Sequence, residues 1–207
     1  VKRRRLWVTL VGAGAVATGV TSWAITSHST SATAPDSKTV QGHTSQEAAT
    51  LLQAGNLQVQ YRDYVGATRT FRRVLELDPR NKVAWYDLGV IAHQEGRADD
   101  ARKAYDEALK IDPKYASALY NKAVLVKPRD PGQAVTLLQR AIAATPRAAT
   151  AHLQLGLILA QKDRDDEAEE EFGRAVAADP SLHSAIPEAF RDKVSPTPTS
   201  SKAGATR

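Results

Sequence analysis

The side chains able to do chemistry are few and scattered along the 207 residues. Five histidines, His28, His43, His93, His152 and His183, stand apart, with no H-E-x-x-H pair and no G-x-S-x-G elbow among them. His93 and His152 are read as residues on repeat faces, not as general bases. The acidic run Asp163, Asp165, Asp166, Glu167, Glu169, Glu170 and Glu171 lacks the glycine-containing spacing of a calcium loop. It suits a solvated helix start, where carboxylates meet the positive end of the dipole. Gly12-Ala13-Gly14-Ala15-Val16-Ala17 spells G-x-G-x-x-A, but no strand leads into it, so it does not form a dinucleotide turn. Without cysteine, thiolate metal sites and disulfides are excluded. No catalytic residue, cofactor or metal is expected. What remains are Tyr86 and Tyr120, 34 residues apart, large amphipathic side chains that either pack between helices or offer a contact that is cheap to immobilise.

That interval belongs to a longer pattern. Asp78-Pro79, Asp112-Pro113, Thr145-Pro146 and Asp179-Pro180 recur at spacings of 34, 33 and 34, the mark of stacked supersecondary units. Aligned on the prolines, each unit holds two helical patterns. Gly55, Gly89, Ala123 and Gly156 are small on the first helix, and Ala67, Ala101, Ala134 and Ala168 are small on the second. Close approach of the paired helices follows. Phe71, Tyr105, Leu138 and Phe172 are large at the next equivalent place, with Val74, Ala108, Ala141 and Ala175 three residues on, which makes an apolar stripe. Each proline removes a donor and pushes the preceding residue out of the α region, which ends the second helix.

This pattern resembles the tetratricopeptide repeat (TPR) family. The second unit matches best, through Trp85, Leu88, Gly89, Ala101, Tyr105, Ala108 and Pro113, and the resemblance covers residues 48–180. It implies an all-α helix-turn-helix solenoid, a right-handed superhelix with repeats at 45–81, 82–115, 116–148 and 149–182. The third repeat has lost one residue. There Val126-Lys127-Pro128-Arg129-Asp130-Pro131 should end the first helix early, with Asp130 as amino-terminal cap and Pro131 at the first helical position. Residues 183–194 are expected to form a truncated capping helix, with Ile186, Ala189 and Phe190 packed on repeat four.

The resemblance further implies a concave groove built from the first helix of each repeat and occupied by a peptide or partner protein. Carried over by alignment, its positions are Leu52 and Asn56, then Tyr86, Val90 and His93, then Tyr120, Asn121 and Val124, then Leu153 and Leu157. Some family members clamp a terminal carboxylate of a chaperone with basic and amide side chains. This chain keeps Asn56 but has Leu52, Asp87, Ser117 and Asn121 at the other clamp places, so that clamp is missing.

Charge separates the domain from its amino-terminal extension. Of the net charge of +5, Lys2, Arg3, Arg4 and Arg5 supply four, whereas residues 48–194 balance 21 Lys/Arg against 21 Asp/Glu. A neutral domain has no extended field for phosphate, and nucleic acid is not an expected partner. After the basic arm at 1–5, the stretch from Leu6 to Ile25 carries no formal charge and as a helix would extend roughly 30 Å, enough for a bilayer. Residues 6–26 are therefore read as a transmembrane helix or signal sequence, with Trp7 and Trp23 near its ends. The positive-inside rule then places the repeats on the extracytoplasmic side of a cell membrane. Secretion after cleavage near Ala34 is the alternative. Ala15 and Gly19 offer a close helix contact, so a homo-oligomer is conceivable. Residues 27–44 read as a flexible linker and 195–207 as a disordered tail, both too polar to repay ordering.

Overall fold

The computed structural model describes residues 37–194, so the basic arm, the apolar stretch at 6–26 and the tail at 195–207 lie outside the described residues. Helix α1 spans Ser37–Gln60, α2 Tyr64–Leu77, α3 Lys82–Gln94, α4 Ala98–Ile111, α5 Ala116–Val126, α6 Pro131–Ala144, α7 Ala149–Ala160 and α8 Asp165–Ala178. A 3₁₀ turn, Pro180–Ala185, and a four-residue α9, Glu188–Arg191, follow. There is no strand among the described residues, and no described helix is long and apolar enough to cross a membrane.

The helices pair as α1/α2, α3/α4, α5/α6 and α7/α8, and each second helix packs on the first helix of the next pair. The pairing depends on the small-to-large matches read from the sequence. A methyl group added to Gly55 would come within 2.5 Å of the Phe71 ring, to Gly89 within 2.6 Å of Tyr105, and to Gly156 within 2.7 Å of Phe172. The third pair reaches the same fit with both volumes changed: Ala123 stands where the glycine would be, and the branched Leu138 replaces the ring. Both are buried.

Proline fixes where each second helix stops. Asp78, Asp112, Thr145 and Asp179 have φ of −136°, −135°, −139° and −146°, the extended region expected before proline. In three of these turns the aspartate carboxylate accepts the amide two residues on, from Arg80, Lys114 and Ser181.

The turns inside repeats one, two and four share another device. Arg62, Gly96 and Asp163 take left-handed φ of 61°, 74° and 56°, and the amides of Asp63, Arg97 and Arg164 then reach back to the carbonyls of Gln58, Ala92 and Leu159. This is the six-to-one closure of a Schellman end. The third repeat lacks the left-handed residue, so Asp130 N bonds Val126 O instead and α5 is only 11 residues long. As expected, Asp130 caps α6 by accepting the Gln133 amide at 2.8 Å, with Pro131 in the first turn. The lost residue is the one that needs a left-handed backbone.

Two expectations are corrected. The linker expected at 27–44 is not all linker: α1 begins at Ser37, because no proline lies between Pro35 and Pro79 and Lys38, Gln41 and Gln46 are fair helix formers that extend the repeat's first helix backwards. The cap is a 3₁₀ turn followed by one α-helical turn, interrupted at Pro187. Ile186, Phe190 and Val194 are buried against repeat four, and the Phe172 and Phe190 rings lie 5.2 Å apart, but Ala189 is exposed. With only four residues in α9, there is a single inward position per turn and Phe190 fills it.

Candidate functional site

The open face of the repeats lies on the first helices. In α3 the residues Ala84, Gly89, Ile91 and Ala92 turn into the core, which leaves Val83, Tyr86, Asp87, Val90 and His93 on the opposite, half-buried side. Helix α5 repeats this arrangement with Tyr120, Asn121 and Val124, all half-buried. The two helices touch directly. The Asn121 amide donates to the Tyr86 hydroxyl at 3.0 Å and to the Ser117 carbonyl at 3.0 Å, so a side chain of one repeat fixes the ring of the preceding one. Tyr86, Tyr120 and Asn121 share a cleft of about 320 Å³ with Ser117, Thr145 and Thr150.

An aromatic cluster backs this cleft. The Tyr86 ring centroid lies 5.3 Å from Tyr115, edge to face, and 6.1 Å from Tyr105. Lys82 Nζ sits 5.1 Å from the Tyr115 ring while paired with Asp112 at 2.5 Å. Burial raises the Tyr86 hydroxyl and pushes Tyr115 up to about 12, and the nearby Asp87 carboxylate adds to both. All three phenols stay neutral at physiological pH. Burial also pushes the Asp87 carboxyl up to about 6.

The structure gathers some of the groove positions and separates others. Tyr86, Tyr120 and Asn121 meet in the cleft. Val90 packs beside Tyr86 and Tyr105, Leu52 lies partly covered on the core of repeats one and two, and Leu157 is partly covered on the core of repeats three and four. Asn56 is exposed, His93 and Val124 are half-buried, and none of these three joins the cleft. Leu153 is a correction. It is 7% exposed and belongs to the core, because α7 is apolar all round and is covered by α6, α8 and the 3₁₀ turn.

Other chemistry-bearing residues resolve into structural parts. His152 is buried, with Nδ1 2.6 Å from Glu171 Oε2 and Nε2 3.0 Å from the Pro146 carbonyl, while Arg174 donates to Glu171 Oε1 at 2.8 Å. Glu171 thus leaves the solvated acidic run to tie α8 to α7. Three more of that run form ion pairs, Glu167 with Arg164 and Glu170 with Arg174 within α8 and its cap, and Glu169 with Lys193 beyond α9. Among the described residues no cluster of metal-ligating side chains forms. Two surfaces were not read from the sequence. One is an outer groove of about 540 Å³ between α2, α3 and α4, lined by Arg72, Trp85 and Arg97. The other is the exposed trio Leu57, Tyr61 and Val65 at the first turn, where apolar residues at spacings of four could have been noticed.

Four helix pairs in register, with small first-helix residues under large second-helix ones and an open, aromatic first-helix face, define a helical-repeat solenoid of the kind that holds other proteins. The chain belongs to the tetratricopeptide repeat family, which matches residues 52–116 and 117–183. Proteins of this family generally serve as protein-interaction scaffolds. Among curated proteins it is similar to the protein O-mannosyl-transferase TMTC3 of Homo sapiens, 27% identical over 139 residues, which is 64% of this chain and 15% of that protein. The chain thus spans a small part of that relative, and the transferase activity is in that protein's name alone. Among solved structures it is similar to MamA, with TM-score 0.58 and 26% identity over 68% of this chain and 87% of that one. It also resembles PilF of Pseudomonas aeruginosa, with TM-score 0.63 and 23% identity over 69% and 65%, a likeness of fold alone.

Proposed function

We propose that this chain is a non-catalytic interaction scaffold that holds an extended peptide or a segment of a partner protein along the first-helix face of its repeats. The observation that carries the reading is the cross-repeat cleft, in which Asn121 fixes Tyr86 beside Tyr120. A preset ring loses little freedom when a partner covers it. The sequence of residues 1–26 supports a tether to the bilayer with the repeats on the extracytoplasmic side of the cell membrane. The test is affinity capture from an envelope extract with the full chain, native against Tyr86→Ala/Tyr120→Ala, after circular dichroism shows equal helicity. A protein retained by the native chain alone supports the groove; equal retention by both sinks it.

A second reading, a self-associating scaffold, is favoured by Leu57, Tyr61 and Val65, which are 52%, 78% and 65% exposed. Sedimentation of the native chain against Tyr61→Ser/Val65→Ser separates the two, since a groove partner is indifferent to that pair.

A further inference from the structure

Charge is unevenly shared between the last two repeats. Residues 116–148 carry five Lys/Arg against one Asp, and residues 149–182 carry three Lys/Arg against eight Asp/Glu. Neighbours of opposite sign would be expected to neutralise each other, yet among the described residues no ion pair joins these two repeats. Lys122 pairs back with Asp106 of repeat two, and Lys127 reaches α7 only to bond the neutral Gln154. On the acidic side the neighbouring cations Arg164 and Lys193 are held by Glu167 and Glu169. Asp163, Asp165 and Asp166 are exposed and form no ion pair among the described residues. Each excess is left facing outward.

Repeats two and three meet at a second outer groove, of about 390 Å³, lined from α4, α5 and α6. Two of its cations are spent, Lys110 on Glu107 at 2.6 Å and Lys122 on Asp106. The other two are not. Lys103 on α4 has no partner among the described residues. Arg140 on α6 donates from Nη2 to the Pro113 carbonyl at 3.0 Å, which presets its guanidinium and leaves the other N–H groups uncommitted among the described residues. Two unpaired cations on one groove repel until an anion joins them, and a preset guanidinium fork suits a carboxylate. Leu109 lines the same groove and adds apolar contact. One exposed ion pair contributes little, so recognition needs several at once. The exposed start of α8 carries them, with Asp165 and Asp166 adjacent. We propose that this groove docks the start of α8 from a second copy of the chain, Lys103 and Arg140 taking Asp165 and Asp166, so that copies join through unlike surfaces. The contact is separate from the cleft of Tyr86 and Tyr120 and from the trio Leu57, Tyr61 and Val65.

The test is sedimentation of the full chain in about 0.05 M and about 0.5 M salt, with circular dichroism to check that every variant keeps its helices. The native chain should self-associate, and roughly tenfold or more weakly at the higher salt. Lys103→Glu/Arg140→Glu and Asp165→Lys/Asp166→Lys should each lose association alone and regain it when mixed, because each still carries the native surface that fits the other. All four positions are exposed, so the substitutions spare the core. A mixture that stays dissociated, or native association indifferent to salt and to the groove reversal, overturns the proposal. If Tyr61→Ser/Val65→Ser then abolishes that association, the apolar trio is the contact instead. A native chain that is monomeric at the lower salt also overturns it. Binding of a hexaglutamate peptide or of inorganic phosphate by that monomer, lost in Lys103→Glu/Arg140→Glu, would give the groove to a partner's acidic segment or to a free anion. Capture through Tyr86 and Tyr120 is read separately and stands under any of these outcomes.

Discussion

If Asp87 is held without a partner, replacing it with a neutral isostere should make the protein more stable. Raising a carboxyl from the usual value near 4 to about 6 on folding corresponds to about 3 kcal/mol of lost stability when the group is ionised, which screening by partial solvent contact reduces to about 2 kcal/mol. The sign follows from proton counting. The folded state binds the proton more tightly than the unfolded state, so the penalty is absent below pH about 4, grows between about 4 and 6, and is complete above about 6. The groups facing Asp87, Tyr86 and Tyr115, stay neutral across that window because burial holds both phenols high. Asp87→Asn should therefore gain about 1–2 kcal/mol at pH 8, a Tm higher by about 3–6 °C for a chain of this length. The gain should shrink to about a third at pH 4.5. Urea titrations followed by circular dichroism at pH 8, 6 and 4.5 measure it. A variant less stable than the native chain at pH 8, or a difference constant with pH, would show that the carboxylate has a partner and would refute the reasoning.

The repeat geometry yields further expectations, each read by the same titrations. Gly156→Ala should cost about 1–2 kcal/mol, because overpacking the Phe172 ring outweighs the better helix propensity of alanine. Phe172→Leu should recover part of that loss in the double variant, since repeat three already combines Ala123 with Leu138. Asp163→Gly and Arg62→Gly should each stabilise by about 0.5–1 kcal/mol by relieving a left-handed non-glycine residue. Asp130→Ala should cost about 1 kcal/mol through the lost cap on α6, with little effect on peptide binding. Phe190→Ala should cost about 3 kcal/mol by uncovering Phe172 and the end of the repeat-four core, and limited proteolysis should then cut first near the carboxy terminus.

The repeats were legible because their residues answer to local rules that a sequence displays. Proline at position 79 ends α2 whatever surrounds it, and Gly55 is needed under Phe71 because no other residue leaves the ring room. Even the exception could be read, since Asp130-Pro131 announces a cap and a helix start together. Leu153 and Asp87 could not be assigned in this way, and for opposite reasons. Repeat alignment gives Leu153 the place of Tyr86 and Tyr120, but α7 is enclosed by α6, α8 and the cap, and that enclosure depends on which segment follows the fourth repeat. Asp87 was visible only as a departure from a clamp, because whether a carboxylate is paired depends on where Asn121, Lys82 and Lys122 spend their donors. Two of those choices, by Asn121 and Lys122, are made from the next repeat, Asn121 lying 34 residues beyond Asp87. In a repeat protein the scaffold is therefore written inside each unit and the site is written between units. The chemistry that distinguishes this solenoid from another of the same period lies in the side chains whose bonds cross from one repeat to the next.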